Sequence, residues 1–360
     1  KSLKMLIRDY YEDRDLLITD IHRREIAFQH QGQIGPDDRH NSYQSTKEVL
    51  ERAERAMPLG IFSSTAYYLD PNEREFKKKS IMGYDLVFDI DVKIEGVDEL
   101  TTLTIAADNT KHLVENILVK DFGFSLDDMI IDFSGRKGFH VTLRGDAYRY
   151  LESADRRQLA EYITGKHLNK LMLFPMKGGY IVSPINGLGW VGKGRKMIES
   201  ILEKPQEEVY DYLIELGFAK SRAKKISGLL ENSTNRGAIL KGRLVGFDSK
   251  ALNDLSRATI KQAGKQLSVV LDVQVTSDKH RIFRVPGSIH GGSGLPCMEV
   301  TLDDLTDVKS ILSKAADMVG RDPVKVEIKK ALTLNLDQRF EIESGMVTLP
   351  RYAALAALCR

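Results

Sequence analysis

Two aspartates, Asp89 and Asp91, close the segment Leu86-Val-Phe-Asp-Ile-Asp91. Leu86, Phe88 and Ile90 alternate with Val87, Asp89 and Asp91, which predicts a strand with one apolar face and one face ending in acids. Residues two apart on a strand project from the same face, about 6.5–7 Å from one another along it. Carboxylates so spaced can clamp a pair of divalent ions about 3.5–4 Å apart. Hard oxygen ligands suit Mg²⁺ or Mn²⁺. The same pattern also describes a strand with a solvated acidic face.

Three further segments carry chemistry. Ser134-Gly-Arg-Lys-Gly-Phe-His140 offers Ser134, Arg136, Lys137 and His140 as donors, with two glycines that allow close backbone approach. It reads either as a phosphate cradle or as a water-exposed basic hairpin. Asp272 interrupts the otherwise apolar run Val269-Val-Leu-Asp-Val-Gln-Val-Thr276, read as a strand, where a carboxylate needs a metal or a cationic partner. Arg281-Ile-Phe-Arg-Val-Pro-Gly-Ser-Ile-His290 adds Arg284, Ser288 and His290. Three acids and two donor-rich turns together describe a site for a metal-complexed triphosphate, suited to phosphoryl or nucleotidyl transfer.

The elements that must position these residues follow from periodicity. Lys1 to Met57 reads as two helices separated by a Gly-Pro break, Ile61 to Leu69 as a strand, and Thr110 to Lys120 as an amphipathic helix. Met129–Phe133 and Phe139–Leu143 read as strands around the Gly-rich turn, and Asp155 to Leu173 as helical. Gly178, Gly179, Gly187, Gly189, Gly192 and Gly194 mark a long loop and a boundary. Lys196–Gln266 is leucine-rich, charged and helical in period. Strands return at Leu267–Val275 and Arg281–Val285, and the tail from Val324 reads as strands and turns closed by a helix from Arg351. The organisation is a discontinuous α+β core, 1–195 and 267–360, with a helical insertion at 196–266.

Composition bounds the rest. The chain has 360 residues, 42% hydrophobic, enough for a substantial core, and 53 Lys+Arg against 51 Asp+Glu leave a net charge of only +2. Any nucleic-acid contact must then come from local clusters; Arg144, Arg149, Arg156, Arg157, Lys224 and Lys225 are candidates, or else belong to solvated helix faces, the reading favoured for Lys224 and Lys225. Cys297 and Cys359 alone exclude a disulfide framework and a four-cysteine zinc site. Without an apolar run of spanning length or a secretory signal, the expectation is a cytoplasmic protein with no membrane contact.

These segments, with Asp20-Ile-His-Arg-Arg-Glu-Ile-Ala-Phe28 and Phe62-Ser-Ser-Thr-Ala-Tyr-Tyr68, make the chain similar to the small, catalytic subunit of archaeal and eukaryotic DNA primases. Arg284-Val-Pro-Gly-Ser-Ile-His-Gly resembles the archaeal version. The resemblance spans nearly the whole chain, with its motifs in the family's order. It implies a mixed primase core whose sheets form an active-site groove, with a small helical subdomain inserted. Asp89, Asp91 and Asp272 would be the catalytic, metal-binding acids, Asp272 lying eighteen residues before His290 as the family's spacing asks; Asp278 is set aside on that spacing. Ser134, Arg136, Lys137 and His140 would hold the nucleotide from one side, and Arg284, Ser288 and His290 from the other.

The expected activity is DNA-directed nucleotidyl transfer with two Mg²⁺ or Mn²⁺ ions, making short RNA primers, or RNA and DNA primers, from nucleoside triphosphates on single-stranded DNA. The expected partner is a large primase subunit. Two departures from the family stand out. Val92–Lys120 has no cysteine and only His112, which argues against a zinc knuckle there. Gly292 stands where relatives often have lysine, leaving Arg281, Lys193 or Lys137 to supply that contact. The alternatives are a repair-type primase-polymerase that fills gaps and a non-catalytic nucleic-acid-binding replication scaffold.

Overall fold

The computed structural model describes residues 1–12, 14–92, 94–266, 271 and 273–360. In chain order it begins with helix α1 (Leu3–Glu12), strands β1 (Ile26–Gln29) and β2 (Asp38–Asn41) and helix α2 (Thr46–Ala56). Strands β3 (Gly60–Ser64), β4 (Ala66–Tyr68), β5 (Ile81–Tyr84) and β6 (Leu86–Asp91) lead to α3 (Glu99–His112), then β7 (Met129–Phe133) and β8 (Gly138–Leu143). Next come α4 (Asp146–Arg149), α5 (Ser153–Thr164), α6 (Lys170–Leu173), β9 (Met176–Lys177) and β10 (Tyr180–Ile181). Five helices follow: α7 (Gly189–Leu202), α8 (Gln206–Glu215), α9 (Lys220–Glu231), α10 (Ser233–Leu240) and α11 (Ser249–Gln266). The chain ends with α12 (Val273–Ser277), β11 (Ile282–Arg284), β12 (Met298–Glu299), α13 (Val308–Val319), hairpin strands β13 (Pro323–Ile328), β14 (Leu332–Asn335), β15 (Arg339–Ile342) and β16 (Gly345–Pro350), and α14 (Arg351–Leu358).

Two compact units result. The first comprises Lys1–Lys111, Ser125–Ala160 and Val270–Arg360; the second comprises His112–Phe124 and Glu161–Val269. The second unit contains all of 196–266 and also takes in 112–124 and 161–195. The fold is α+β. Among the described residues no helix is long and apolar enough to cross a membrane.

The first unit holds two four-stranded sheets, ordered β11-β3-β1-β2 and β12-β7-β8-β6. In the second, strand alternation divides the faces as the pleat requires. Leu86, Phe88 and Ile90 of β6 and Phe139, Val141 and Leu143 of β8 are wholly buried on one side. Asp89, Asp91, His140 and Asp132 share the other.

A buried charge ties the first unit together. Arg24 donates through Nη1 to the carbonyls of Ser64 (2.9 Å) and Thr65 (2.8 Å) and through Nη2 to Asp85 Oδ2 (2.6 Å). The Tyr67 hydroxyl donates to Asp85 Oδ1 at 2.6 Å. Arg24 and Asp85 are both buried, so each depends on the other for compensation.

Several local expectations need correction. Within 1–57 the two helices form, but the buried run Ile26-Ala-Phe-Gln pairs with Asp38–Asn41 as a hairpin between them. Ile61–Leu69 is two strands in two sheets, because Thr65 ends pairing with β1 and redirects the chain. Gly189, Gly192 and Gly194 are not in a loop; they form the first turns of α7. Leu271 makes a single bridge to Ile90, after which Val273–Ser277 turns into a helix with Val275 buried, in place of the expected strand. The expected strand residues Leu267–Val270, and Asp272 itself, lie outside the described residues.

Removing Arg24 leaves the Asp85 carboxylate buried without its main partner. Arg24→Ala is expected to lower the unfolding free energy by about 3–5 kcal/mol, and Arg24→Met with Asp85→Asn by clearly less. Urea denaturation checks this; a loss below about 1 kcal/mol for Arg24→Ala contradicts the assignment.

Candidate nucleotide and metal site

The antiparallel register of β6 and β8 sets Asp89 opposite His140 and Asp91 opposite Gly138. Asp89 Oδ1 lies 3.7 Å from His140 Nε2. Gly138 is obligatory at that crossing, since a Cβ there would meet the Ile90 carbonyl oxygen at 2.2 Å. The turn closes on itself: Ser134 N–H donates to the Gly138 carbonyl at 2.9 Å, and Gly138 N–H donates to Ser134 Oγ at 3.3 Å. Gly135 has φ +95°, and a Cβ there would lie 2.7 Å from His290 Cβ. Its lack of a side chain lets the turn approach the His290 loop.

The His290 loop is pinned from α1. The Tyr10 hydroxyl donates to the Gly287 carbonyl at 2.9 Å, and Ile289 N–H donates to the Tyr11 hydroxyl at 3.2 Å. Ser288, expected to bind nucleotide, is buried and spent on the frame: its Oγ accepts from Ile61 N–H at 2.7 Å and donates to the Ile289 carbonyl. Ser288 therefore does not line the groove. Arg284, on β11 beside Phe62, sends Nη1 to the Ile289 carbonyl at 2.5 Å and lies 4.5 Å from the Phe62 ring centroid.

A groove of about 440 Å³ brings together Asp89, Asp91, Ser134, Arg136, Lys137, His140, Arg284 and His290, and adds Arg281, Phe62 and Phe283. Arg136 is aimed by Glu99, which accepts from its Nε at 3.2 Å and its Nη2 at 2.7 Å. Glu99 was missed from sequence, being 37 residues away with no motif of its own. Among the described residues, no three His, Cys, Asp or Glu side chains converge tightly enough to hold a metal ion alone.

The groove's electrostatics follow from burial among cations. Burial pushes the His140 imidazole down to about 4, with Arg284 adding to the effect and Asp91 opposing it. His290 is pushed down to about 3 by burial, then by Arg284 and Arg136. Arg284 itself falls to about 10 through burial. Both imidazoles are thus neutral near pH 7 and each offers one N–H donor.

The expected template cations divide. Arg156 is buried, donating to the carbonyls of Leu151 and Asp85, both at 2.7 Å, so it serves the fold. Arg144 faces Asp85 at 3.7 Å, Arg149 lies over the Tyr67 ring, and Lys225 pairs with Asp248 at 3.0 Å. Arg157 and Lys224 are exposed.

A sequence profile described as DNA primase small subunit matches residues 88–302, which takes in Asp89 and Asp91, the Ser134–His140 turn and the His290 loop. The chain belongs to the DNA primase small-subunit family. It is 31% identical over 348 residues to the DNA primase small subunit PriS of Methanothrix thermoacetophila, spanning 89% of this chain and 87% of that protein. It is 30% identical to the PriS of Methanococcoides burtonii over 89% of this chain and 86% of the other. With the PriS of Picrophilus torridus the identity is 28%, over 96% and 93% respectively. Family members thus match this chain at nearly full length, second unit included.

One acid on the groove sheet has no catalytic assignment. Asp132 pairs with His140 in register and is buried, and its Oδ1 has no hydrogen-bond partner among the described residues. Burial, then Glu299, raises it from 3.8 to about 7. The folded state therefore keeps a proton that the unfolded chain releases, and stability falls as pH rises from about 4 to about 7. Asp132→Asn removes that slope: its stability relative to wild type is expected to improve by roughly 2–4 kcal/mol between pH 4 and pH 8. Denaturant unfolding at both pH values measures it, and a pH-independent difference contradicts the buried-acid reading.

Proposed function

We propose that this protein is the catalytic subunit of a DNA primase, joining nucleotides on a single-stranded DNA template to make short RNA, or RNA and DNA, primers. The observation that carries the reading is the single groove in which Asp89 and Asp91 face Ser134, Arg136 and His140 across one strand pair. A scaffold that only bound nucleic acid would have no use for two carboxylates set among phosphate donors, where they repel the ligand.

The donor set fits divalent metal. Asp89 and Asp91 are half-exposed on the groove and supply hard oxygen ligands, with Asp272 as the third acid by family spacing. Mg²⁺ or Mn²⁺ held there supplies neutralising charge at the triphosphate and a lowered pKa at the attacking 3′-hydroxyl. Arg136, oriented by Glu99, grips phosphate oxygens with its remaining donors. His140 and His290 donate as neutral imidazoles that orient the triphosphate. Ser134 and the backbone of its turn border the same phosphates. Of the three cations that could stand in for the lysine replaced by Gly292, Arg281 and Lys137 line the groove, whereas Lys193 lines a different cavity. A large primase subunit and template strand complete the assembly implied by the family.

Incorporation of labelled nucleotides on unprimed single-stranded DNA, with Mg²⁺ or Mn²⁺, tests the reading. Asp89→Asn with Asp91→Asn is expected to lower turnover at least about 100-fold, while Arg136→Ala raises the nucleotide KM roughly 10- to 100-fold. Extension of primed strands without any initiation, even with the large subunit added, would favour a gap-filling polymerase. Wild-type turnover retained in the double aspartate variant would remove catalysis from this groove.

A further inference from the structure

The crowded glycines of the sequence have a use that the groove does not absorb. Gly187-Leu-Gly-Trp-Val-Gly-Lys193 has the Gly-x-Gly-x-x-Gly spacing and opens the fourteen-residue helix α7, whose N-cap Leu188 supplies no side-chain cap. The spacing serves close backbone approach, since a Cβ on Gly192 would sit 2.2 Å from the Gly187 carbonyl oxygen. Such turns, with a lysine just inside the helix, are suited to phosphate.

This turn borders a cavity of about 370 Å³ within the second unit, within the range of ligand pockets, roughly 300–1,000 Å³. Four cations line it, Lys120, Lys193, Arg195 and Lys196, against two carboxylates, Asp121 and Glu199. Arg195 is committed to Glu199 and to the carbonyls of Ile239 and Leu240. Lys120 and Lys196 are exposed at the rim and make no ion pair among the described residues. The opposite wall comes from the point where α3 passes into a π-helix, Leu113–Val119. π-Helical segments are rare and concentrate at functional sites. This one aligns His112, Asn116 and Lys120 at four-residue spacing along the cavity, with Asn116 3.3 Å from His112 Nδ1. His112 Nε2 is buried with no hydrogen-bond partner among the described residues.

Asp121 occupies the anionic position itself. Its Oδ1 accepts from Gly189 N–H at 3.2 Å and its Oδ2 from Lys193 Nζ at 2.5 Å. A carboxylate resting on the helix N-terminus and the lysine is the internal counterpart of a bound phosphate.

We propose that this cavity is a second binding site for the phosphates of a nucleoside triphosphate, held by Lys193, Lys196 and Lys120, with Asp121 as the anion the ligand displaces. The phosphate chemistry stands on the cavity alone; the choice of a nucleoside triphosphate rests on the polymerase reading of the groove.

Calorimetric titration of the full chain with ATP and Mg²⁺, and separately with inorganic tripolyphosphate, tests the proposal. Wild type is expected to bind two equivalents of ATP. Arg136→Ala/His290→Ala, which disables the groove, is expected to keep one, and Lys193→Ala/Lys196→Glu to keep the other. Added to the groove variant, Asp121→Asn is expected to tighten binding roughly 3- to 10-fold, a gain that misfolding cannot produce. A groove variant that binds neither ATP nor tripolyphosphate overturns the second site. So does a cavity variant that still binds two equivalents. A 5′-phosphorylated oligonucleotide that binds the groove variant where ATP does not overturns the nucleotide assignment. Failure of the groove reading looks different: the groove variant then binds as wild type does, while the cavity variant binds nothing.

Discussion

The register of one antiparallel strand pair governs the groove. With β6 and β8 in their observed alignment, Asp89 faces His140 and Asp91 faces Gly138. A slip of one residue would turn both acids into the core and expose Phe88 and Ile90. The buried row Leu86, Phe88, Ile90, Phe139, Val141 and Leu143 makes that slip costly. Hydrophobic packing on one face therefore fixes carboxylate geometry on the other. The Ser134–His140 turn inherits its position from the same pairing, and the His290 loop is brought to it by Tyr10, Tyr11 and the buried Ser288 hydroxyl.

Burial sets the charge state of the groove's two imidazoles. Opposite signs sit side by side, carboxylates on β6 and guanidinium groups on the turn and β11. Burial holds the two imidazoles neutral, which makes them donors of fixed direction and leaves the arginines to supply positive charge. Glu99 removes much of the rotational freedom of Arg136 before any ligand arrives. Fixed donors and dipoles of this kind gain effectiveness because they need not reorganise during reaction.

Much of this was legible in the sequence because alternation and turn chemistry are local. The β6 pattern, the two strands around Ser134–His140 and the helical run after Lys196 each carry their signal within a dozen residues. What was not legible depends on partners far away. Ile26-Ala-Phe-Gln looks like part of a helical stretch until Asp38–Asn41 pairs with it. Val273–Ser277 has strand-like residues, yet becomes helix. Ser288 looks like a ligand-binding hydroxyl and is consumed by Ile61 N–H, and Arg156 looks like a template cation and is consumed by backbone carbonyls. Six crowded glycines suggested one long loop, whereas Gly189, Gly192 and Gly194 open a helix.

On this proposal the acids of β6 and the donors of the neighbouring turn serve one metal-bound triphosphate. A crystal structure with Mn²⁺ and a non-hydrolysable nucleoside triphosphate, read by anomalous scattering, tests it most directly. A manganese peak is expected within about 2.3 Å of carboxylate oxygens of Asp89 and Asp91, with the phosphates against Ser134, Arg136 and His290. Manganese and triphosphate bound elsewhere, with this groove empty at saturating ligand, would contradict it.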